Sequence, residues 1–296
     1  MTMTTNAPSS LNDWLIKLSS IEIPAMQYTL YQMAHLQSKS DDISIRDLSL
    51  LIRHDPLLTL KLIRYQQSQR RAVQMKDVNT IEHVLLMVGV GGFFHKFGST
   101  ESVETQLQQK PEALSGIRKI ISRSYLAARI AESLSSQRHD IDPIEVTTAS
   151  LLHDLAEILL WLSMPELAQK ITYLLLNNPS CRSYEAQKQI LGFTGNELQT
   201  KLALHWHLPS LLTHLMDEKY TNEPRVRTVT IATSTARHLT NHWQNPALPD
   251  DYQNIADLLS CDLDHAYSLI RNVCIKAAHE WEWFSVLPVA TQIPQQ

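Results

Sequence analysis

An adjacent histidine and aspartate, His153 and Asp154, interrupt an otherwise apolar stretch, SLLHDLAEILLW over residues 150–161. Imidazole and carboxylate groups both ligate metal ions. Neighbouring positions on a helix are about 100° apart, so both side chains can lean toward one ion or one polar pocket. A buried carboxylate needs compensation. The alternative interpretation is therefore a structural network in which Asp154 accepts hydrogen bonds and His153 is its partner.

A second histidine pair, His238 and His242, has the four-residue spacing that allows two side chains to share a metal on one helix. No glutamate lies between them as in zinc proteases, and Arg237 is adjacent, so an exposed polar face is the preferred interpretation. We assign core, interface, packing or capping positions to His83, His95, His205 and His207. The sequence contains no GxSxG element and no phosphate-binding P-loop.

Composition limits the classes of protein to which the chain can belong. The 296 residues are 44% hydrophobic and 19% charged, with a net charge of -4, which is typical of a globular protein and gives no electrostatic reason to expect nucleic acid or an anionic membrane as partner. The low number of glycines, 7 in the chain, argues against a β-rich fold with many tight turns. The three cysteines are widely spaced, the N-terminus has no positively charged leader, and there is no long apolar run. These features predict a cytoplasmic protein.

Apolar residues recur at three- and four-residue spacing along most of the sequence, which predicts an all-α fold with prolines at several helix starts. We predict an N-terminal bundle over residues 11–105, a polar linker within 99–110, a C-terminal bundle over 111–283 and a flexible tail over 284–296. Residues 142–162 are expected to form one helix, and residues 89–92 (GVGG) a helix junction. Replacing Leu152 or Leu159 by alanine should cost about 2–5 kcal/mol if these side chains are buried.

Five stretches occur in an order and at a spacing that indicate a known family. They are residues 23–26 (IPAM), 48–64 (LSLLIRHDPLLTLKLIR), 79–90 (NTIEHVLLMVGV), 150–161 (SLLHDLAEILLW) and 202–212 (LALHWHLPSLL). Over about residues 20–215 the sequence resembles the HDOD domain, an output domain of bacterial signalling proteins that is related to the HD metal phosphohydrolases. The resemblance implies that the C-terminal bundle is HD-like.

The residues expected beside the His-Asp pair depart from the phosphohydrolase pattern. In HD hydrolases, histidines before and after the pair and a late aspartate complete the ligand set. Here Arg123 stands at the place of the upstream histidine, Gly195 and residues 217–219 (DEK) at the places of later ones, and Thr233 at that of the aspartate. Two protein ligands hold a catalytic divalent ion poorly, and an arginine beside them would repel it. The pair then resembles a remnant of an ancestral site, with no catalytic residue, metal or cofactor expected.

We therefore expect a non-enzymatic signal-transduction module that acts through contacts with signalling proteins. A second copy of the chain, in a homodimer, is a further candidate partner. We expect no nucleic-acid or membrane partner. One alternative is a metal-dependent HD phosphohydrolase that uses His153, Asp154 and ligands not recognised in the sequence. Another is a sensor of a small anionic ligand, such as a signalling nucleotide, in a pocket where Arg123 meets the anion. We expect His153→Ala to damage folding or partner binding more than any turnover.

Overall fold

The computed structural model describes Pro8 and residues 10–39, 43–69, 80–178 and 180–294, and the regular elements in these ranges are helices joined by turns and short connections. The prediction of an all-α fold is confirmed. The one β-type contact among the described residues is an isolated parallel bridge between Ala25 and Ser102. No described helix is long and apolar enough to cross a bilayer.

The first part of the chain contains the helices α1 (Leu11–Ser19), α2 (Gln27–Lys39), α3 (Ile45–Ile52), α4 (Pro56–Gln69), α5 (Ile81–Val88), α6 (Val90–Phe97) and α7 (Val103–Gln106). The second part contains α8 (Pro111–Ser135), α9 (Pro143–Leu152), α10 (Leu155–Ser163), α11 (Pro165–Asn177), α12 (Ser183–Leu191), α13 (Gly195–His205), α14 (Ser210–Leu215), α15 (Pro224–Asn241), α16 (Leu248–Leu259) and α17 (Leu263–Ala278). Short 3-10 turns occupy Glu218–Tyr220, Trp281–Trp283 and Val289–Gln292.

Local sequence signals begin and end many of these helices. Ser44 caps α3, and Asp142 caps α9 directly before a proline at the first helical position. Proline also opens α8, α11 and α15. The predicted junction at residues 89–92 is present, because Gly89 adopts φ 74° between α5 and α6, a conformation that favours glycine. The Thr80 side chain caps α5.

The buried apolar side chains form two clusters whose membership differs from the expected bundles. The smaller cluster joins α2, α3, α5, α6 and one face of α4, with Phe93 and Phe97 among its largest members. The larger cluster contains the core of the second part, including Leu152 and Leu159, which are both fully buried. It also contains Trp14 of α1, so α1 packs with the second part although it lies within 11–105.

Two segments that we expected to be loosely held pack against the core. Within residues 99–110, Val103 and Leu107 are buried, and Ala25 and Val103 are joined by a backbone hydrogen bond of 2.9 Å. The predicted linker is therefore a packed connection. In the C-terminal tail, Phe284 is buried and the indole of Trp243 donates a 2.7 Å hydrogen bond to the carbonyl of Val289. Residues 284–294 thus lie on the core, and residues 295–296 are outside the described range.

The expected single helix over residues 142–162 is divided into α9 and α10. His153 and Asp154 form the turn between the two helices, with Asp154 at φ -99° and ψ 19°. Apolar residues keep their three- and four-residue spacing across the turn, which explains why the sequence pattern alone predicts a continuous helix. The break places Asp154 directly at the start of α10, beside the neighbouring helices that complete the candidate site.

Candidate functional site

The helices α8, α13 and α15 all contact the turn between α9 and α10. The long helix α8 packs against both α9 and α15, and it places Arg123 opposite the turn. The Nε atom of Arg123 donates a 2.7 Å hydrogen bond to Oδ2 of Asp154. Nη2 of the same guanidinium lies 2.6 Å from Oδ2 of Asp154 and 2.7 Å from a carboxylate oxygen of Glu157 on α10. One arginine therefore binds two carboxylates that are one helical turn apart.

The second carboxylate oxygen of Asp154 has different partners. Nη2 of Arg237, on α15, donates to Oδ1 over 3.0 Å. Nδ1 of His153 lies 3.4 Å from the same oxygen, a longer and weaker contact. Arg123 and Asp154 are each 8% exposed, so this network is largely removed from water. The structure thus brings His153, Asp154 and Arg123 together, as three of the residues that the sequence singled out.

The turn itself is held by a buried glutamine. The side-chain oxygen of Gln199, on α13, accepts a 2.8 Å hydrogen bond from the backbone N–H of Ala156. Its amide nitrogen donates to the carbonyl of Leu152 over 2.7 Å. Gln199 therefore bridges the last residue of α9 and the first turn of α10, and it satisfies backbone groups that a helix break leaves without partners.

The electrostatics of the site favour ionised side chains. Burial alone would raise the pKa of Asp154, but Arg123 and Arg237 hold the pKa of this carboxyl well below its usual range. Burial would lower the pKa of Arg123, and Asp154 and Glu157 more than offset that effect and raise it. Two guanidinium groups face two carboxylates, so the formal charges balance without any added ion.

This arrangement does not fit a divalent metal ion. Both oxygens of Asp154 accept hydrogen bonds from guanidinium groups, and a cation there would meet two fixed positive charges. Thr233, at the expected place of the late aspartate, donates its hydroxyl to the carbonyl of Val229 in its own helix. Among the described residues, no group of three or more His, Cys, Asp or Glu side chains is placed to hold a metal.

The other positions expected for histidine ligands have structural partners of their own. Gly195 begins α13, and its N–H donates to the side chain of Gln187 over 2.7 Å. Asp217 caps the 3-10 turn that contains Lys219. His238 is hydrogen-bonded to Asp251 on α16 over 2.6 Å, whereas we expected an exposed polar face. The side chain of His238 is 25% exposed, and α15 is held to α16 through it.

Sequence reasoning missed three members of the site: Arg237, Glu157 and Gln199. Glu157 lies three residues after Asp154, a spacing that puts both on one helical face. Arg237 lies four residues after Thr233, so it extends from the face that would carry the late aspartate. These two spacings are usable signals. Gln199 has no such signal, because its contacts join residues more than 40 positions apart.

The fold and the site together define an all-helical protein in which Asp154 lies in a buried ion-pair network with two arginines. The HDOD domain model matches residues 23–222, more than half of the chain. The protein belongs to the HDOD family. No curated protein matches the chain.

Two solved structures share this fold at low sequence identity. The MmoQ response regulator from Methylococcus capsulatus is 18% identical, with a TM-score of 0.63, over 85% of this chain and 99% of that one. A virulence factor from Campylobacter jejuni is 16% identical, with a TM-score of 0.65, over 92% of this chain and 100% of that one. The second similarity extends well beyond residues 23–222, so the fold continues past the part that the family model matches. Arg237 lies in that continuation.

Proposed function

We propose that this protein is a non-catalytic signal-transduction module that acts through contacts with other proteins. The observation that carries the proposal is the engagement of Asp154 by Arg123 and Arg237. A carboxylate whose two oxygens accept hydrogen bonds from guanidinium groups is poorly suited to ligate a metal. In this account the network keeps the turn between α9 and α10 in place, and the site has a structural role. Membership of a family of signalling output domains, and the similarity to a response regulator, support the signalling part.

A screen for phosphohydrolase activity tests the non-catalytic part. The purified protein would be incubated with nucleotides and generic phosphoesters in the presence of Mn²⁺ or Fe²⁺. We expect no turnover above that of a matched sample carrying His153→Ala. Robust metal-dependent turnover that His153→Ala abolishes would instead establish a phosphohydrolase with an atypical site.

The anion-sensor alternative makes a different prediction for Arg123. Because its guanidinium already binds Asp154 and Glu157, an anion would have to displace a carboxylate to reach it. We therefore expect no rise in the thermal unfolding midpoint across a panel of signalling nucleotides. A saturable rise that is absent in Arg123→Ala would favour the sensor.

A further inference from the structure

A short segment after α17, residues 280–284, lies across the boundary between the two apolar clusters; we call it the strap. The indole of Trp283 stacks on the imidazole of His54, with ring centroids 4.1 Å apart and planes at 9°. It also meets the ring of Tyr28 edge-on at 5.1 Å. The other face of His54 stacks on Tyr125 at 4.8 Å, and Tyr125 packs against Phe284. Trp283 packs against both clusters.

Polar groups beside these rings bind the two acidic residues of the strap. The hydroxyl of Tyr28, on α2, donates to Glu282 over 3.0 Å. The hydroxyl of Tyr125, on α8, donates to Glu280. His54 Nε2 lies 3.3 Å from the carboxylate of Glu280. Tyr28, His54 and Tyr125 therefore line a cleft that combines an aromatic slot with hydrogen-bond donors for carboxylates, and we call it the aromatic cleft.

The backbone of the strap is weakly tied to the rest of the molecule. The N–H of Glu280 donates to the carbonyl of Ala277 in α17, and the N–H groups of residues 283–285 bond only to carbonyls within residues 280–281. The turn Trp281–Trp283 is a 3-10 turn, and Ser285 follows it at φ 51°, an unfavourable conformation for a residue other than glycine. Side chains thus supply most of the attachment. Segments of this kind open locally at a lower cost than a packed helix.

The aromatic cleft and the strap also differ in their relation to the family. Tyr28, His54 and Tyr125 all lie within residues 23–222, which the HDOD model matches, and the strap lies beyond them. The residues of the cleft therefore lie within the matched range, and the segment that covers them comes from a later part of the chain. A binding surface covered by a separate segment of the same chain can be opened by a competitor of similar chemistry.

We propose that the aromatic cleft is a docking site for an acidic, tryptophan-bearing segment of a partner protein, and that the strap is an intramolecular occupant which this segment displaces. The strap itself, with the sequence EWEWF, defines the chemistry of the partner: carboxylates for the two tyrosine hydroxyls and an indole for the slot. The inference rests on the proposed function, because it identifies the kind of protein contact that the module makes.

Binding of a strap peptide in trans tests the proposal. A labelled peptide of residues 278–287 would be titrated by fluorescence anisotropy into the full chain, either unchanged or carrying Glu280→Gln and Trp283→Ala together. We expect the double variant to bind at least about tenfold more tightly than the unchanged chain, whose cleft is open for only a fraction of the time. Trp281→Ala is the matched control, because Trp281 is 51% exposed, and it should bind as weakly as the unchanged chain.

The peptide offers its own control. A peptide in which the residue equivalent to Trp283 is alanine should lose binding to the double variant. Equal affinity of the unchanged chain and the double variant, or binding that ignores the peptide tryptophan, would overturn the proposal. These outcomes are independent of the phosphoester screen, so failure of the strap mechanism and failure of the non-catalytic function are distinguishable.

Hydrogen exchange of the unchanged chain covers the case in which the double variant does not fold. We expect the amides of residues 283–285 to exchange faster than those of residues 269–274 in α17, and faster still with excess peptide. Exchange of residues 283–285 only through global unfolding, unaffected by the peptide, would contradict a displaceable strap.

Discussion

Asp154 is a carboxylate whose charge is balanced by side chains of the chain itself. Its two oxygens face Arg123 and Arg237, and Arg123 also binds Glu157. In a metal site the same carboxylate would be balanced by the ion. The guanidinium groups therefore make burial of the acid tolerable, which in a metal site the ion would do.

The first prediction concerns the buried guanidinium. Arg123→Ala leaves Asp154 and Glu157 without their shared partner, so we expect a loss of about 3–5 kcal/mol in the free energy of unfolding. Urea denaturation would measure it. Arg227→Ala is the matched control on α15, because the Arg227 side chain is 37% exposed and lies 4.0 Å from the carboxylate of Asp257, and it should change stability by less than about 0.5 kcal/mol. Similar losses for the two variants would show that the network does not stabilise the fold.

The second prediction concerns pH. Because Arg123 and Arg237 hold the pKa of Asp154 below its unfolded value, burial notwithstanding, its contribution to stability is present at neutral pH and is lost as the pH falls through the folded pKa. We expect the difference in unfolding free energy between the natural chain and Asp154→Asn to be constant from pH 6 to 7 and to shrink below about pH 4. Urea denaturation across this range checks it. A difference that grows on acidification would contradict the assignment.

Only some residues of the site could be predicted from the sequence. The residue types at positions 123, 195 and 233 predict an incomplete ligand set from residue identities alone, and this stays a prediction. The hydrogen bond from Arg237 to Asp154 was not predicted, because the two residues are 83 positions apart in the sequence. A contact of that length depends on how α15 packs against α8 and α9, and no local pattern encodes it.

At the scale of elements, the Asp-Pro start of α4 connects two distant parts of the chain. The carboxylate of Asp55 is fully buried and accepts hydrogen bonds from the N–H groups of Leu57 and Leu58 in the first turn of α4. It also accepts one from Met26, just before α2, over 2.7 Å. A single side chain therefore caps one helix and positions the start of another, which gives a physical reason for the Asp-Pro pair at positions 55 and 56.

The third prediction follows from this double role. Asp55→Ala leaves three buried N–H groups without their acceptor, each at a cost of about 1–3 kcal/mol, so we expect severe loss of stability or of soluble protein. Asp55→Asn keeps one acceptor oxygen, so its stability should lie between that of the natural chain and that of Asp55→Ala. Thermal unfolding checks the order. Asp47→Ala removes an exposed capping carboxylate from α3 and should cost less. Equal midpoints for Asp55→Ala and Asp47→Ala would contradict the assigned role.

Helix starts were predictable from the sequence, and one helix break was not. Prolines and capping residues act within a few positions, so their effect is visible in the sequence at α8, α9 and α11. The turn at residues 153–154 has no glycine or proline, and its apolar period is continuous. It is stabilised by Gln199 from α13, a tertiary contact. Tertiary packing thus overrides a local preference there.

At the scale of the whole molecule, the termini connect the two parts that the sequence separates. Trp14 of α1 packs edge-on against Phe193 in the second part, with ring centroids 6.0 Å apart. From the other end of the chain, Trp283 returns to the first part and stacks on His54. The predicted flexible tail, residues 284–296, also packs on the core, through Phe284 and through the hydrogen bond from Trp243 to Val289. These contacts were not predicted because their contribution depends on the surface against which the segment packs.

The central claim, that guanidinium groups take the place of a metal ion at Asp154, is tested most directly by calorimetric titration of Mn²⁺ into the purified, chelator-treated protein. We predict no saturable heat beyond dilution, and no difference between the natural chain and His153→Ala. Saturable one-to-one binding that disappears in both His153→Ala and Asp154→Asn would contradict the claim.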